Sequence, residues 1–122
     1  MVLDEIAHFL SDYFEALYTQ DLPIFDRVFH PNSTLYSQQD GETVIRPFAE
    51  YREMVVNRSS PASRGQPRSE TVLMVDMLSD SMAVARVRLR LFDNIMEDHL
   101  NLVRTAEGWR IVAKTFTRVG PA

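Results

Sequence analysis

Apolar residues recur every three or four positions near the start of the chain, the spacing of one face of an α-helix. They are Ile6, Phe9, Leu10, Tyr13, Phe14 and Leu17. Asp4 and Glu5 come just before this face, where the positive end of a helix dipole favours anions. The pattern therefore predicts an amphipathic helix whose aromatic-rich side turns towards the core.

Two shorter helices are predicted further along the chain. Asp21 can cap a helix that carries Pro23 in its first turn, and His30-Pro31 ends it. Pro47 begins the next helix. Its apolar side consists of Phe48, Tyr51, Met54 and Val55.

Strand patterns occupy the remaining apolar segments. Thr34 to Gln38 and Thr43 to Arg46 flank Asp40-Gly41, a dipeptide typical of tight hairpin turns. A meander of long alternating runs follows, at residues 70–78, 82–92, 95–105 and 109–119. Helices first and a meander afterwards indicate an α+β fold, with three N-terminal helices on a curved antiparallel sheet, and not a βαβ fold.

The segment from Asn57 to Ser69 has hardly an apolar side chain and is long for a connection in a small domain. The simpler interpretation is a solvated, mobile connector. Because Arg58, Arg64 and Arg68 lie in it, the segment has a second interpretation, a loop that folds over an anionic ligand.

Strand register decides which residues face the helices. If Glu107-Gly108 forms a two-residue turn, Leu102 lies opposite Ala113. One face then collects Leu100, Leu102, Trp109, Ile111, Ala113 and Thr115, with Asp98 and Thr117 at its far end. The other face carries His99, Asn101, Val103, Val112, Lys114 and Phe116. A one-residue bulge would exchange the two sets, so both assignments stay open.

The outer face of the sheet is expected to be charged. Arg86, Arg88 and Arg90 alternate with apolar residues, and three arginines cannot all be buried without partners. Val84 shares their face. A broad surface that mixes apolar and charged groups predicts a homodimer formed through the outer sheet face.

Composition narrows the function classes. The 122 residues fit one domain, 1–122, and their formal charge of −4 argues against a nucleic-acid partner. There is no cysteine, and no apolar run is long enough to cross a membrane. The acidic start of the chain is unlike a secretory signal, so we expect a cytoplasmic location. The three scattered histidines predict no metal site, and no phosphate loop or dinucleotide motif indicates a cofactor.

Four segments resemble the nuclear-transport-factor-2-like superfamily, and within it the small SnoaL-like and lumazine-binding-like proteins. They are residues 13–22, 29–32, 98–102 and 108–114. The resemblance covers nearly the whole chain. It implies a cystatin-like cone, in which a curved sheet wraps a long helix and leaves a pocket at the open end. Members of the superfamily include steroid isomerases, polyketide cyclases, dehydratases and proteins that only bind, so the fold does not select a function.

The resemblance also aligns individual residues. Tyr13 matches the tyrosine that donates to the oxyanion in ketosteroid isomerases, and their general-base aspartate falls at or beside Ser37. A serine hydroxyl does not take a proton from carbon without a base of its own. Steroid isomerase chemistry is therefore not expected. The simpler role of Tyr13 is an aromatic core residue with its hydroxyl at a wet edge.

Two function classes follow. The first is a pocket protein that binds a small, largely apolar or aromatic molecule. The second is a SnoaL-like cyclase, isomerase or dehydratase, with Asp98 as the catalytic base and Tyr13 or Tyr36 as the hydrogen-bond donor. For Asp98 the simpler role is a rim carboxylate paired with an arginine. The expected pocket residues are Tyr13, Leu17, Tyr36, Tyr51, Val55, Leu100, Trp109, Ile111 and Ala113.

Overall fold

Three helices and six strands build the protein, whose computed structural model describes all 122 residues. In chain order the elements are α1 Val2–Thr19, α2 Leu22–Val28, β1 Phe29–Gln39, β2 Glu42–Pro47, α3 Phe48–Val56, β3 Glu70–Ser79, β4 Met82–Leu91, β5 Asn94–Thr105 and β6 Gly108–Pro121. The predicted helices and strands are all present. The α+β class is confirmed.

Local signals in the sequence set several element boundaries. α1 ends where Gln20 adopts a left-handed conformation, and the Asp21 carboxylate accepts a hydrogen bond from the Ile24 N–H at the start of α2. Asp40 and Gly41 both have positive φ, as the tight turn between β1 and β2 requires. Phe29 opens β1 instead of continuing α2, because its backbone pairs with Ile111 of β6.

The strands form one open sheet in the order β2-β1-β6-β5-β4-β3. Neighbouring strands are antiparallel except β1 and β6, which run parallel. The sequence predicted an antiparallel sheet, and the parallel pairing of β1 with β6 was not predicted. β6, the last strand of the meander, therefore joins the first hairpin to strands β5, β4 and β3.

The predicted pairing of the last hairpin is wrong. Ala106 and Glu107 form the turn, so Leu102 pairs with Ile111 and not with Ala113. The next residue back, Asn101, pairs with Ala113, and Val112 is therefore an extra residue in β6. Because of this bulge, the residues of β6 after Val112 lie on the opposite face from the one that regular alternation from Ile111 would give them. Lys114 now lies beside Leu100 on the helix-covered face, while Ala113 lies on the outer face.

The core fills the space between the helices and the concave face of the sheet. Phe29 is fully buried at its centre, stacked between Phe25 and Phe48. Tyr13 and Trp109 are both in this core, on the same side of the sheet. The aromatic side of α1 therefore rests inside the curved sheet, as expected.

The segment from 57 to 69 forms neither a helix nor a strand, but it is tied to α1. The Ala62 N–H donates to the Tyr18 carbonyl, and the Tyr18 hydroxyl donates to the Gln66 carbonyl. The guanidinium groups of Arg58 and Arg64 lie over the Phe92 ring. The loop thus packs along one edge of the open end of the cone.

No helix in the structure combines the length and apolar composition of a membrane span.

Candidate functional site

A small cavity opens between α3 and the concave face of the sheet. Its volume is about 100 Å³. The apolar side chains around it come from β1, α3 and the strands β4, β5 and β6, and they are Leu35, Tyr51, Met54, Leu89, Leu91, Met96 and Phe116. Four charged residues complete the lining: Arg46, Arg58, Asp98 and Lys114. An apolar cavity with a few convergent polar groups is typical of a small-molecule site.

A buried carboxylate and a buried phenol meet at the inner end of this cavity. The Tyr13 hydroxyl donates to Asp98 Oδ2 over 2.5 Å, and Asp98 is only 2% exposed. Tyr13 is fully buried behind Asp98 and does not line the cavity. Burial, followed by the charge of Asp98 and this hydrogen bond, raises the pKa of Tyr13 well above its ordinary value of 10.0. The phenol therefore stays protonated and acts as a donor.

A buried lysine faces the same carboxylate. Lys114 Nζ lies 3.6 Å from Asp98 Oδ2, beyond hydrogen-bond distance, although its side chain is only 5% exposed. Its other neighbours are ring faces, with Nζ 5.3 Å from the ring centre of Tyr13, 5.7 Å from that of Tyr51 and 5.4 Å from that of Phe116. Cation–π contacts and one carboxylate thus stabilise a buried ammonium that makes no hydrogen bond to the protein.

Both residues named as catalytic candidates lie at the inner end of the cavity, Asp98 in its lining and Tyr13 in contact with Asp98. Of the other expected pocket residues, only Tyr51 lines the cavity. Five are instead packed in the core: Leu17, Val55, Leu100, Trp109 and Ile111. The cavity occupies the open end of the cone, whereas these five side chains fill its interior.

Tyr36 and Ala113 lie away from the cavity. Tyr36 is exposed because its neighbours Leu35 and Ser37 take the concave face of β1, and alternation sends Tyr36 to the other side. Ala113 is displaced to the outer face by the bulge at Val112. Neither residue is therefore proposed as part of the cavity.

Of the three cationic residues that line the cavity, sequence reasoning named Arg58, as part of a loop that could fold over an anionic ligand, and missed Arg46 and Lys114. The register without a bulge puts Lys114 on the outer face, and the alternative that the sequence left open, a one-residue bulge, brings it to the concave face. Arg46 pairs with Leu35 across the first hairpin, so it shares the concave face. The Asp40-Gly41 turn fixes this register, so the sequence does contain a signal that places Arg46 on that face.

Ser37, aligned with the general base of ketosteroid isomerases, has a structural role. Its hydroxyl donates to the Phe116 carbonyl over 2.7 Å and thereby links β1 to β6. Ser37 does not line the cavity. Because the Ser37 hydroxyl donates its hydrogen bond to this backbone carbonyl, it serves to pair the strands at the edge of the site.

Comparison with known proteins gives one family and a set of similar structures. Residues 2–117 match the family described as putative lumazine-binding. No curated protein matches the chain at a significant level.

The similar solved structures share the fold at low sequence identity. An NTF2-like protein of unknown function from Silicibacter pomeroyi is 16% identical, with a TM-score of 0.83 over 95% of this chain and 94% of that one. An NTF2-like protein of unknown function from Shewanella baltica is 19% identical, with a TM-score of 0.82 over 95% and 92%. A cystatin-like fold protein from Burkholderia xenovorans is 16% identical, with a TM-score of 0.74 over 98% and 92%.

Replacement of Tyr13 by Phe should change how stability depends on alkaline pH. Above pH 10 the unfolded chain releases the phenol proton, whereas the folded protein keeps it because the pKa of Tyr13 is raised. The free energy of unfolding of the natural protein should therefore fall as the pH rises, with Tyr13 contributing up to about 1.4 kcal/mol per pH unit. Tyr13→Phe should lose this contribution in urea denaturation between pH 9 and 11.

The matched control is Tyr36→Phe, because Tyr36 is exposed and lies outside the core. It should keep the slope of the natural protein. Equal slopes for Tyr13→Phe and Tyr36→Phe would contradict the assignment of a buried, protonated Tyr13.

Proposed function

We propose, for a chain that belongs to the putative lumazine-binding family and has the NTF2-like fold, that the cavity binds a small molecule with a largely apolar or aromatic body. The observation that carries this proposal is the lining itself, in which seven of eleven residues are hydrophobic and the polar ones converge at the inner end and the mouth. Because the sequence predicts a cytoplasmic location for the protein, the ligand in this proposal is a cytoplasmic metabolite.

The cavity volume limits the part of the ligand that is buried. A dry engineered cavity of about 150 Å³ accepts benzene. The cavity here, at about 100 Å³, has only about two thirds of that volume, so it encloses part of an aromatic or apolar body and the rest of the ligand would extend through the mouth. Met54 and Met96 line the walls, and their flexible side chains adapt to ligands of different shape. The family description names lumazine, a fused-ring aromatic molecule, which agrees with an aromatic body.

Filling the cavity should abolish binding. Met96→Trp adds a large side chain to the wall of a 100 Å³ space, so titration with benzyl alcohol should no longer shift the amide resonances of Tyr51 and Lys114. We expect at least about a tenfold loss of affinity. The control is Met74→Trp, since Met74 is 41% exposed and lies outside the cavity. Equal binding by both variants would contradict the proposal.

A second candidate is general-base catalysis by Asp98. The specific observation in its favour is that Oδ2 holds both contacts, with Tyr13 and Lys114, while Oδ1 accepts no hydrogen bond from the protein. A carboxylate oxygen that lines a cavity can reach a proton of a bound molecule. Such a base would serve an isomerase, cyclase or dehydratase. Tyr13 would then act through Asp98, as a positioning residue.

The test of this alternative is deuterium exchange at the α-carbon of cyclopentanone in D₂O, followed by NMR. The natural protein should accelerate exchange, and Asp98→Asn should lower the acceleration by at least about 100-fold because the base is lost. Asp76→Asn is the control, since Asp76 pairs with Val84 on the outer face. No acceleration by the natural protein would reject catalysis of this type and leave the binding proposal intact.

The outer sheet face is proposed to pair two copies of the chain. Val84 is half-buried on this face, near Arg86 and Arg88, which both pair with Glu97. No helix covers it, since the core lies on the opposite face. A mixed apolar and charged surface of this kind supports a dimer.

Val84→Lys should therefore convert a dimer into a monomer, as measured by sedimentation velocity. Leu3→Lys is the control, because Leu3 is 52% exposed on α1, away from the outer face. A monomeric natural protein at micromolar concentration, or a Val84→Lys variant that stays dimeric, would refute this interface.

A further inference from the structure

The charge of the cavity lining is opposite to that of the protein. The whole chain carries a formal charge of −4, yet the cavity is lined by three cationic side chains and one carboxylate. The residues that line this small, mostly apolar space therefore carry a net formal charge of +2. Cations in such surroundings lose much of their hydration, and an anion in the cavity would replace it.

Lys114 is the cation with the least satisfied chemistry. An ammonium has three N–H donors, and those of Lys114 make no hydrogen bond to the protein. Asp98 Oδ2 is 3.6 Å away and already accepts from Tyr13. Three aromatic faces also lie near Nζ, and they attract a cation but accept no conventional hydrogen bond. An oxygen acceptor inside the cavity would complete the site.

Two arginines add positive charge near the mouth. Arg58 Nε donates to the Gln20 side chain over 2.7 Å, and its Nη2 lies 3.4 Å from the Tyr51 hydroxyl. Both partners are neutral, so the charge of Arg58 is not compensated. Arg46 has one acidic neighbour, Glu50, at 3.5 Å on the surface. The entrance is thus attractive to anions before they reach Lys114.

We propose that the ligand of this cavity carries one carboxylate, which enters first and accepts hydrogen bonds from Lys114, while its apolar or aromatic body contacts Met96 and Phe116. This inference rests on the proposed binding function and names its ligand class. A singly charged head group suits the site because Asp98 stays in the cavity and repels a dianion more strongly than a monoanion. A carboxylate also fits a space of about 100 Å³ together with part of its body.

The experiment compares acids with amides of almost the same shape. Benzoate and benzamide, and hexanoate and hexanamide, are titrated at pH 7 into the labelled protein, and the amide shifts around the cavity give the four dissociation constants. Each carboxylate should bind at least about ten times more tightly than its amide. Lys114→Met, which keeps the length of the side chain and removes its charge, should reduce this ratio to near one.

A second variant should act in the opposite direction. Asp98→Asn removes the only negative charge of the lining and keeps an oxygen that can accept from Tyr13. It should therefore tighten carboxylate binding by about tenfold and leave the amides almost unchanged. This prediction holds even if Lys114→Met fails to fold.

The outcomes separate the two proposals. Equal affinities of acids and amides would overturn the carboxylate inference and leave the apolar pocket standing. Weaker carboxylate binding by Asp98→Asn would also overturn it. An absence of shifts at the cavity residues with all four probes would overturn the pocket proposal, and the inference would fail with it.

Discussion

One extra residue in β6 determines the chemistry of the site. Because Val112 has no partner of its own in β5, the strand changes face between Ile111 and Lys114. Without this bulge, strict alternation from Ile111 would put Ala113 towards the helices and Lys114 on the outer face. With it, Lys114 lies opposite Leu100 and reaches Asp98. The contact between Tyr13 and Asp98 then connects α1 to this pair from behind.

The sequence predicted the elements well and the register of the last hairpin poorly, for a physical reason. Helical spacing and turn residues are local, so the helices and the Asp40-Gly41 turn could be located from short windows. Register depends on which two residues occupy the turn. Because Gly108 is a typical turn residue, the turn was predicted at Glu107-Gly108, one position later than the observed turn at Ala106 and Glu107. Gly108 has a positive φ but belongs to β6. A bulge leaves no mark in the alternation that a short window could reveal.

The candidate site was harder to predict than the core because it combines long-range partners. Asp98 was selected as the charged residue that ends an apolar face, and it does line the cavity. Its neighbours, Tyr13 and Lys114, are 85 and 16 positions away in the sequence, and only the three-dimensional fold brings them together. The expected pocket residues were chosen as the most apolar positions. In a small domain most such positions fill the core, and the cavity lies at the border of that core, where the buried residues Leu35, Tyr51 and Leu89 meet the charged ones.

The position of β6 in the sheet also affects how the chain folds. Within the sheet, the hairpin of β1 and β2 is connected to β3, β4 and β5 only through the strand pairing of β6. Closing the parallel pair requires Leu35 to meet Lys114, a loop of about eighty residues whose entropy cost precedes any gain from the pairing. During synthesis on the ribosome, β1 can pair with β2 but has no partner on its other edge until β6 has been synthesised. Its free edge is therefore a point at which a nascent chain is open to non-native strand pairing.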